Sequence, residues 1–278
     1  MTDIQKFSRK EIEGLMRKTP GITGVIAGGG SPCQGLSKLS SLRQHLDDPR
    51  SALFFDLAER LKWIQDIAVS MKIWSARFCE NVVGDEADVE QMSKELDMDP
   101  VMVCASDVSR VRRPRLYWAS TGTDDHGSFT REYHGAVERL RFCGPVEPME
   151  MVCDEGWVWP QGVMDETAKL PTFTRAIPRK KAPPSPAGLG SCDELTVERW
   201  QRDRMQFPPY TYKAEHLFRH EETGEVRVAN ANERELLMGY PKKDIRQPSS
   251  KRKPAPQRKR TSMKWPEKRP LGIRFIVW

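Results

Sequence analysis

Apolar positions along the first 120 residues follow two rhythms, one helical and one strand-like, which alternate. Ile4, Phe7, Ile12, Leu15 and Met16 fall at loose helical spacing over residues 4–18, and Pro20-Gly21 closes that element. The apolar run of GITGVIAGGG (21–30) predicts a short buried strand running into a glycine turn. Leu53, Leu57, Leu61, Ile64 and Ala68 return to a helical repeat that starts near Asp48-Pro49. IWSARFCENVV (73–83) reads as a strand, DVEQMSKELDM (88–98) as a helix, and DPVMVCASDVS (99–109) and RLYWAS (115–120) as strands. Strands alternating with helices of these lengths predict an α/β fold on a parallel sheet.

Beyond Ser120 the rhythm breaks. CGPVEPMEMV, IPRKKAPPSPAGLGSC and RMQFPPYTY are interrupted by proline, so residues 121–225 form a small irregular region or a long excursion from the sheet. Helical order returns in NANERELLMGYP, where Asn230 or Asn232 caps a helix holding Glu233, Leu236 and Leu237, closed by Gly239 and Pro241. The chain therefore divides into a core (1–120), an irregular region (121–225), a late helix returning to the core (226–241) and a tail (242–278).

Charge changes the reading of that tail. The 278 residues carry a net +6, yet residues 242–278 hold thirteen Lys or Arg against Asp244 and Glu267, a net +11, which leaves −5 for the rest. KRKPAPQRKR reads as a disordered arm that neutralises phosphates or carries a nuclear import signal, which points to the nucleus, with the cytoplasm as the alternative. A solvated surface segment without a partner is the plainer reading. The six cysteines, at 33, 79, 104, 143, 153 and 192, contain no C-x-x-C pair, so neither a disulfide framework nor a metal site is suggested. No apolar run approaches the roughly 20 residues that span a bilayer, and no membrane partner is expected.

Candidate chemistry concentrates on GGGSPCQGLS (28–37). Gly30 and Gly35 have the spacing of a phosphate loop, but Leu36-Ser37 stands where that loop needs lysine, and GGSPC lacks the G-x-S-x-G of a serine hydrolase. Cys33 is then the reactive candidate, set against a small cysteine that merely packs behind a strand. Glu80 ends another predicted strand, at the same carboxyl edge where open α/β sheets bind ligands. Arg113 and Arg115 alternate, so they point the same way if extended. The plain readings are a solvated turn acid and an exposed basic strand.

Taken in order, these segments resemble the cytosine-5 DNA methyltransferases, most closely the animal de novo DNA methyltransferase family. GGGSPCQGLS is similar to the family's Pro-Cys loop, FCENVV to its Glu-Asn-Val motif and RRPRLYW to its Arg-x-Arg strand, with Val111 where many members carry glutamine. LPTFTRA resembles the threonine-rich stretch after the target-recognition region, and RVANANERELLMGYP the late Arg…Glu…Gly-aromatic-Pro motif. The resemblance covers residues 3–241 and leaves the tail without a counterpart.

The resemblance implies a partial Rossmann-like class I methyltransferase sheet with a small target-recognition region, transferring methyl from S-adenosylmethionine to cytosine in DNA. Cytosine's carbon 5 is a poor nucleophile, and a thiolate added at carbon 6 makes it enamine-like. Cys33 would be that nucleophile, Glu80 would hold ring nitrogen 3 and the exocyclic amine, Arg115 would contact the carbonyl oxygen and Arg113 would brace the site. The base must be flipped out of its stack, with the glycines of 28–30 letting backbone approach it. Asp3, Ile4 and Pro32 are implied as donor contacts, and Ser31, Gln34, Ser37, Asn81, Thr172 and Thr174 as contacts to the nucleic acid. DNA is the implied partner, together with a homologous methyltransferase subunit. The family's opening strand and F-x-G-x-G donor loop have no match, which implies a fragment inactive alone, with an unpaired sheet edge beside the Pro-Cys strand. A non-catalytic regulatory partner and a tRNA cytosine methyltransferase are the alternative readings.

Overall fold

Ser8 opens the first helix because its hydroxyl accepts from the Glu11 amide while the Glu11 carboxylate accepts from the Ser8 amide, a reciprocal cap that starts α1 at Arg9–Arg17. Ile12 and Met16, one turn apart, form its buried stripe. Leu15 is turned to solvent, and Ile4 and Phe7 precede the helix and pack on the same core. The computed structural model describes residues 4–38, 43–121, 127–134, 137–144, 153–165, 167–174, 176 and 188–240, and the backbone of 273–277.

β1 (Gly24–Gly30) takes the whole glycine run into the strand, so the predicted glycine turn lies further on, at residues 34–36. α2 (Leu53–Met71) crosses over to β2 (Trp74–Val82), which pairs parallel with β1 from Gly24↔Trp74 to Gly30↔Glu80. α3 (Glu86–Leu96) leads to β3 (Pro100–Cys104), and a short connection then leads to β4 (Pro114–Ala119). β4 runs antiparallel to both β2 and β3, which corrects the all-parallel expectation. A parallel return needs a crossover of about a dozen residues or more, and the short 3-10 turn at Ala105–Asp107 only reverses the chain.

β5 (Phe129–His134) and β6 (Val137–Phe142) form a hairpin whose β6 pairs parallel with β3, so the main sheet continues past the boundary drawn at residue 120. A three-stranded sheet follows, from β7 (Trp157–Val158), β8 (Phe218–His220) and β9 (Val226–Arg227), with α4 (Gln161–Met164) and α5 (Glu194–Arg202) beside it in the chain. α6 (Ala231–Leu237) is capped by Asn230 with Glu233 in a second reciprocal cap. Its Leu236 and Leu237 pack with Trp159, Leu170 and Phe218 in a second core that also takes in Val111 of the first region, and the Leu237 carbonyl accepts from the Arg110 amide at 3.1 Å.

Among the described residues the main sheet has seven strands, in the order β10-β1-β2-β4-β3-β6-β5. β10 (Ile273–Val277) comes from the segment read as a disordered basic tail and lies parallel to β1, from Gly24↔Ile273 to Gly28↔Val277. It occupies the edge of β1 expected to be unpaired, and residues 241–272 of that segment lie outside the described residues. The α/β layering is as the pattern implied: Val25 and Ala27 of β1 are buried with Phe54, Leu57, Leu61 and Ile64 of α2. Trp118 of β4 is fully buried, and its indole N–H donates to Ser93 Oγ at 2.9 Å. No helix among the described residues is long and apolar enough to cross a membrane.

Candidate active site

Parallel register puts Gly28 of β1 opposite Phe78 and Gly30 opposite Glu80 of β2, and there glycine is required by what lies over it. A Cβ on Gly28 would fall within 2.6 Å of Phe78 Cγ, and one on Gly30 would fall 2.8 Å from Glu80 Oε2. The bare backbone thus seats two β2 side chains, where the sequence reading had it admit a base.

β1 ends in Ser31-Pro32-Cys33, which projects from the sheet's carboxyl edge. Asn81 is buried at the end of β2 and donates from Nδ2 to Ser31 Oγ at 2.8 Å, while its Oδ1 accepts from the Val82 amide at 2.8 Å. This ties the Pro-Cys segment to the strand that carries Glu80. The Cys33 carbonyl accepts from the amides of Leu36 and Ser37 at 3.1 and 2.8 Å, which curls the next residues into a turn. The Cys33 thiol is free and half-buried, Pro32 is half-buried and Gln34 is exposed.

Arg115 faces the same place from β4, where it pairs with Val82. Its Nε lies 3.0 Å from Glu80 Oε1, and its Nη1 donates to the Pro114 carbonyl at 2.7 Å. Burial, followed by the neighbouring Arg113, pulls the Arg115 pKa down, while the charges of Glu80 and Cys33 pull it up. Arginine keeps its proton through such shifts, so a half-buried guanidinium stands beside the Glu80 carboxylate. Arg113 is exposed, and its backbone amide donates to Cys104 Sγ at 3.4 Å.

The other cysteines are in different settings. Burial pushes Cys79 up to about 12, with Glu80 adding to it, and burial pushes Cys153 up to about 12 as well. Burial also raises Cys192. Cys104 is buried and accepts from Ser106 Oγ at 3.0 Å, and Cys143 is exposed near the Ser128 and Arg141 carbonyls.

The remaining predicted residues divide. Thr172 donates to the Arg112 carbonyl at 2.5 Å, and the Thr174 hydroxyl is buried without a hydrogen-bond partner. Both follow Leu170, which bridges to Val111, so the threonine stretch lies against the segment leading into Arg113 and Arg115. Ile4 packs into the first core, and Asp3 lies outside the described residues.

Sequence reasoning missed the groups that anchor the chain after Cys33. His45 has φ +56 and donates its amide to the Gly35 carbonyl at 3.1 Å, and its Nδ1 lies 2.8 Å from Asp88 Oδ2 on α3. Arg43 and Lys38 reach Asp85 at 3.0 and 3.7 Å, and the Arg43 hydrogen bond holds that carboxyl below its usual range. His45, Asp85 and Asp88 bring three possible ligand atoms within 4.8 Å of one another, but Asp85 already faces two cations, so the cluster acts as an ion-pair clasp. The signal was present as basic residues after the cysteine and the acidic GDEADVE segment.

Fold and site together define an α/β protein with a free thiol and a carboxylate–guanidinium pair at one sheet edge. No family model matches the sequence. A solved DNA modification methyltransferase encoded within an E. coli prophage is similar at 24% identity over 42% of this chain, with a TM-score of 0.30, and the chain spans 32% of that protein's length. A mutant of Spodoptera frugiperda DNMT2 is similar at 14% identity over 89% of this chain and 76% of its own, with a TM-score of 0.41.

Proposed function

We propose that this chain belongs to the cytosine-5 methyltransferase chemistry its motifs resemble, with Cys33 as the nucleophile that adds to carbon 6 of a cytosine in DNA. The observation that carries the proposal is the Arg115–Glu80 pair at 3.0 Å, held on two adjacent strands at the same carboxyl edge from which the Cys33 segment projects. A thiolate is the reactive form of a cysteine nucleophile. Once a flipped base enters, Arg115 can donate to its carbonyl oxygen and Glu80 can accept from its exocyclic amine, each exchanging part of the present ion pair for the base. Negative charge that develops on the ring then meets the Arg115 guanidinium.

S-adenosylmethionine is the methyl donor in this reading. Of the residues assigned to it, Ile4 and Pro32 offer apolar surface and no side-chain hydrogen-bonding group for a ribose. They do not by themselves fit the whole donor, and no step is routed through it. DNA as the partner, a homologous subunit beside it and a nuclear location complete the proposal, supported by the basic 242–278 segment.

Trapping with DNA carrying 5-azacytosine tests it. A covalent adduct that maps to Cys33 by peptide mass and disappears in Cys33→Ser is expected. An adduct mapped to Cys143, or one formed with tRNA and not with DNA, would overturn the proposal.

A further inference from the structure

Further along the same carboxyl edge, the ends of β3 and β6 and the start of β4 enclose a cleft of about 540 Å3. Four cations line it, Arg112, Arg139, Arg141 and Lys169, against one acid, Asp107. Asp107 is nearly buried and is already used: it accepts from Arg139 Nη2 at 3.1 Å and from the Phe142 amide at 3.3 Å. Glu132 reaches Arg139 and Arg141 only at 3.7 and 3.6 Å. Arg139 Nε is buried without a hydrogen-bond partner, a donor left waiting for an acceptor. Arg141 is 59% exposed, so its fork is available at the mouth.

We propose that this cleft binds a phosphodiester of the nucleic-acid backbone, with Arg139 Nε and the Arg141 guanidinium as its donors. Guanidinium forks match phosphate oxygens in pairs, and four cations against Asp107 and Glu132 leave a surplus of two positive charges that favours an anion. The placement deepens the reading of Cys33 and rests on it. From β2, which carries Glu80, to β6, which carries Arg141, there are three strand intervals, about 14 Å at about 4.8 Å each. That distance is about four steps of a duplex strand at about 3.4 Å per nucleotide, so a backbone whose base reaches Cys33 passes over the cleft. The sequence reading assigned phosphate contact to the tail alone and passed over these residues, because Arg139 and Arg141 alternate with apolar residues in an ordinary strand pattern.

The test is fluorescence anisotropy of the full chain on a short labelled DNA duplex and on an RNA stem-loop, from about 50 to 200 mM salt. Arg141→Gln should weaken binding uniformly across sequences and lower the salt slope by about 0.9, and Arg139→Gln with Arg141→Gln by about 1.8. Arg202→Gln, the same charge change on α5 outside the cleft, should leave the slope unchanged. Thermal unfolding checks each variant. If Arg139→Gln fails to fold, the mostly exposed Arg141→Gln carries the test alone. A fall on DNA, on RNA or on both supports the cleft and identifies which backbone it takes. An unchanged slope in folded Arg141→Gln overturns it. The readings fail separately, because 5-azacytosine trapping at Cys33 under saturating DNA does not depend on Arg141, and the salt slope does not depend on Cys33.

Discussion

A methyl group added at either of two β1 glycines separates the stability of the sheet from the geometry of the site. Neither Gly28 nor Gly30 has a positive φ, so alanine takes the strand backbone without strain and gains about 0.5 to 1 kcal/mol over glycine. At Gly28 the new Cβ falls within 2.6 Å of Phe78 Cγ, so a ring packed against the strand must move by about 0.8 Å or more. Overpacking of this kind costs about 1 to 3 kcal/mol, which after the alanine gain leaves Gly28→Ala up to about 2.5 kcal/mol less stable and its melting temperature lower by up to roughly 10 °C. At Gly30 the nearest atom is Glu80 Oε2 at 2.8 Å, the far end of a flexible side chain, which can withdraw by about 0.6 Å at small cost. That withdrawal disturbs the 3.0 Å pair with Arg115. Misplacement near 1 Å in a site costs on the order of 10²-fold, so Gly30→Ala should keep its melting temperature and slow azacytosine trapping by about 10- to 100-fold. Differential scanning calorimetry and the trapping rate read the two effects. A Gly30→Ala protein that traps at the wild-type rate, or that melts as early as Gly28→Ala, would refute the reasoning.

Thiol labelling with iodoacetamide should modify Cys33 and Cys143 at mild alkaline pH and spare Cys79 and Cys153, whose thiols ionise only near 12; peptide mass mapping checks this. Glu233 is buried and takes two hydrogen bonds from Arg227, at 2.7 and 2.8 Å, so Glu233→Ala leaves that cation only the exposed Asp154 at 3.2 Å and the Val228 carbonyl. It should cost about 3 kcal/mol, roughly 6 to 12 °C by calorimetry, with much of the loss recovered in Glu233→Gln. The Arg50 side-chain hydrogen bond holds Asp48 down at about 2 against an ordinary 3.8. Its stabilisation is therefore full above 3.8 and lost as pH falls through 2, and Asp48→Asn should flatten the acid unfolding curve over that interval, read by circular dichroism.

Where one periodicity ran long enough to dominate, the pattern of residues identified the element. α2 kept its repeat over five turns, and β1 and β2 were short apolar runs bounded by breakers. β4 was found as a strand, but its direction depended on the connection from β3, which local pattern does not report. β10 escaped because IRFIV follows a long run of prolines and cations, and charge outweighed five apolar-rich residues. At the site, Cys33 and Glu80 could be brought to one edge by counting strands, since Pro-Cys and Glu-Asn each stand at a strand's carboxyl end, whereas Arg115 at the start of its strand reaches that edge only because β4 runs antiparallel. The 3.0 Å pair and the Asn81–Ser31 tie depend on which strands are neighbours. The His45–Asp88 clasp joins residues 43 apart, and the basic and acidic segments that form it are visible in the sequence only as separate charge runs whose pairing depends on the fold.

Addition of a thiolate at carbon 6 loosens the hydrogen at carbon 5 of cytosine, so the nucleophile can be observed without a methyl donor. DNA carrying tritium at cytosine carbon 5 would be incubated with the wild-type chain, with Cys33→Ser and with Cys143→Ser, and tritium release into water followed with time. Release by the wild type and by Cys143→Ser, with none above buffer from Cys33→Ser, is expected. Release that survives Cys33→Ser, or a folded wild-type chain that releases none, would contradict Cys33 as the nucleophile.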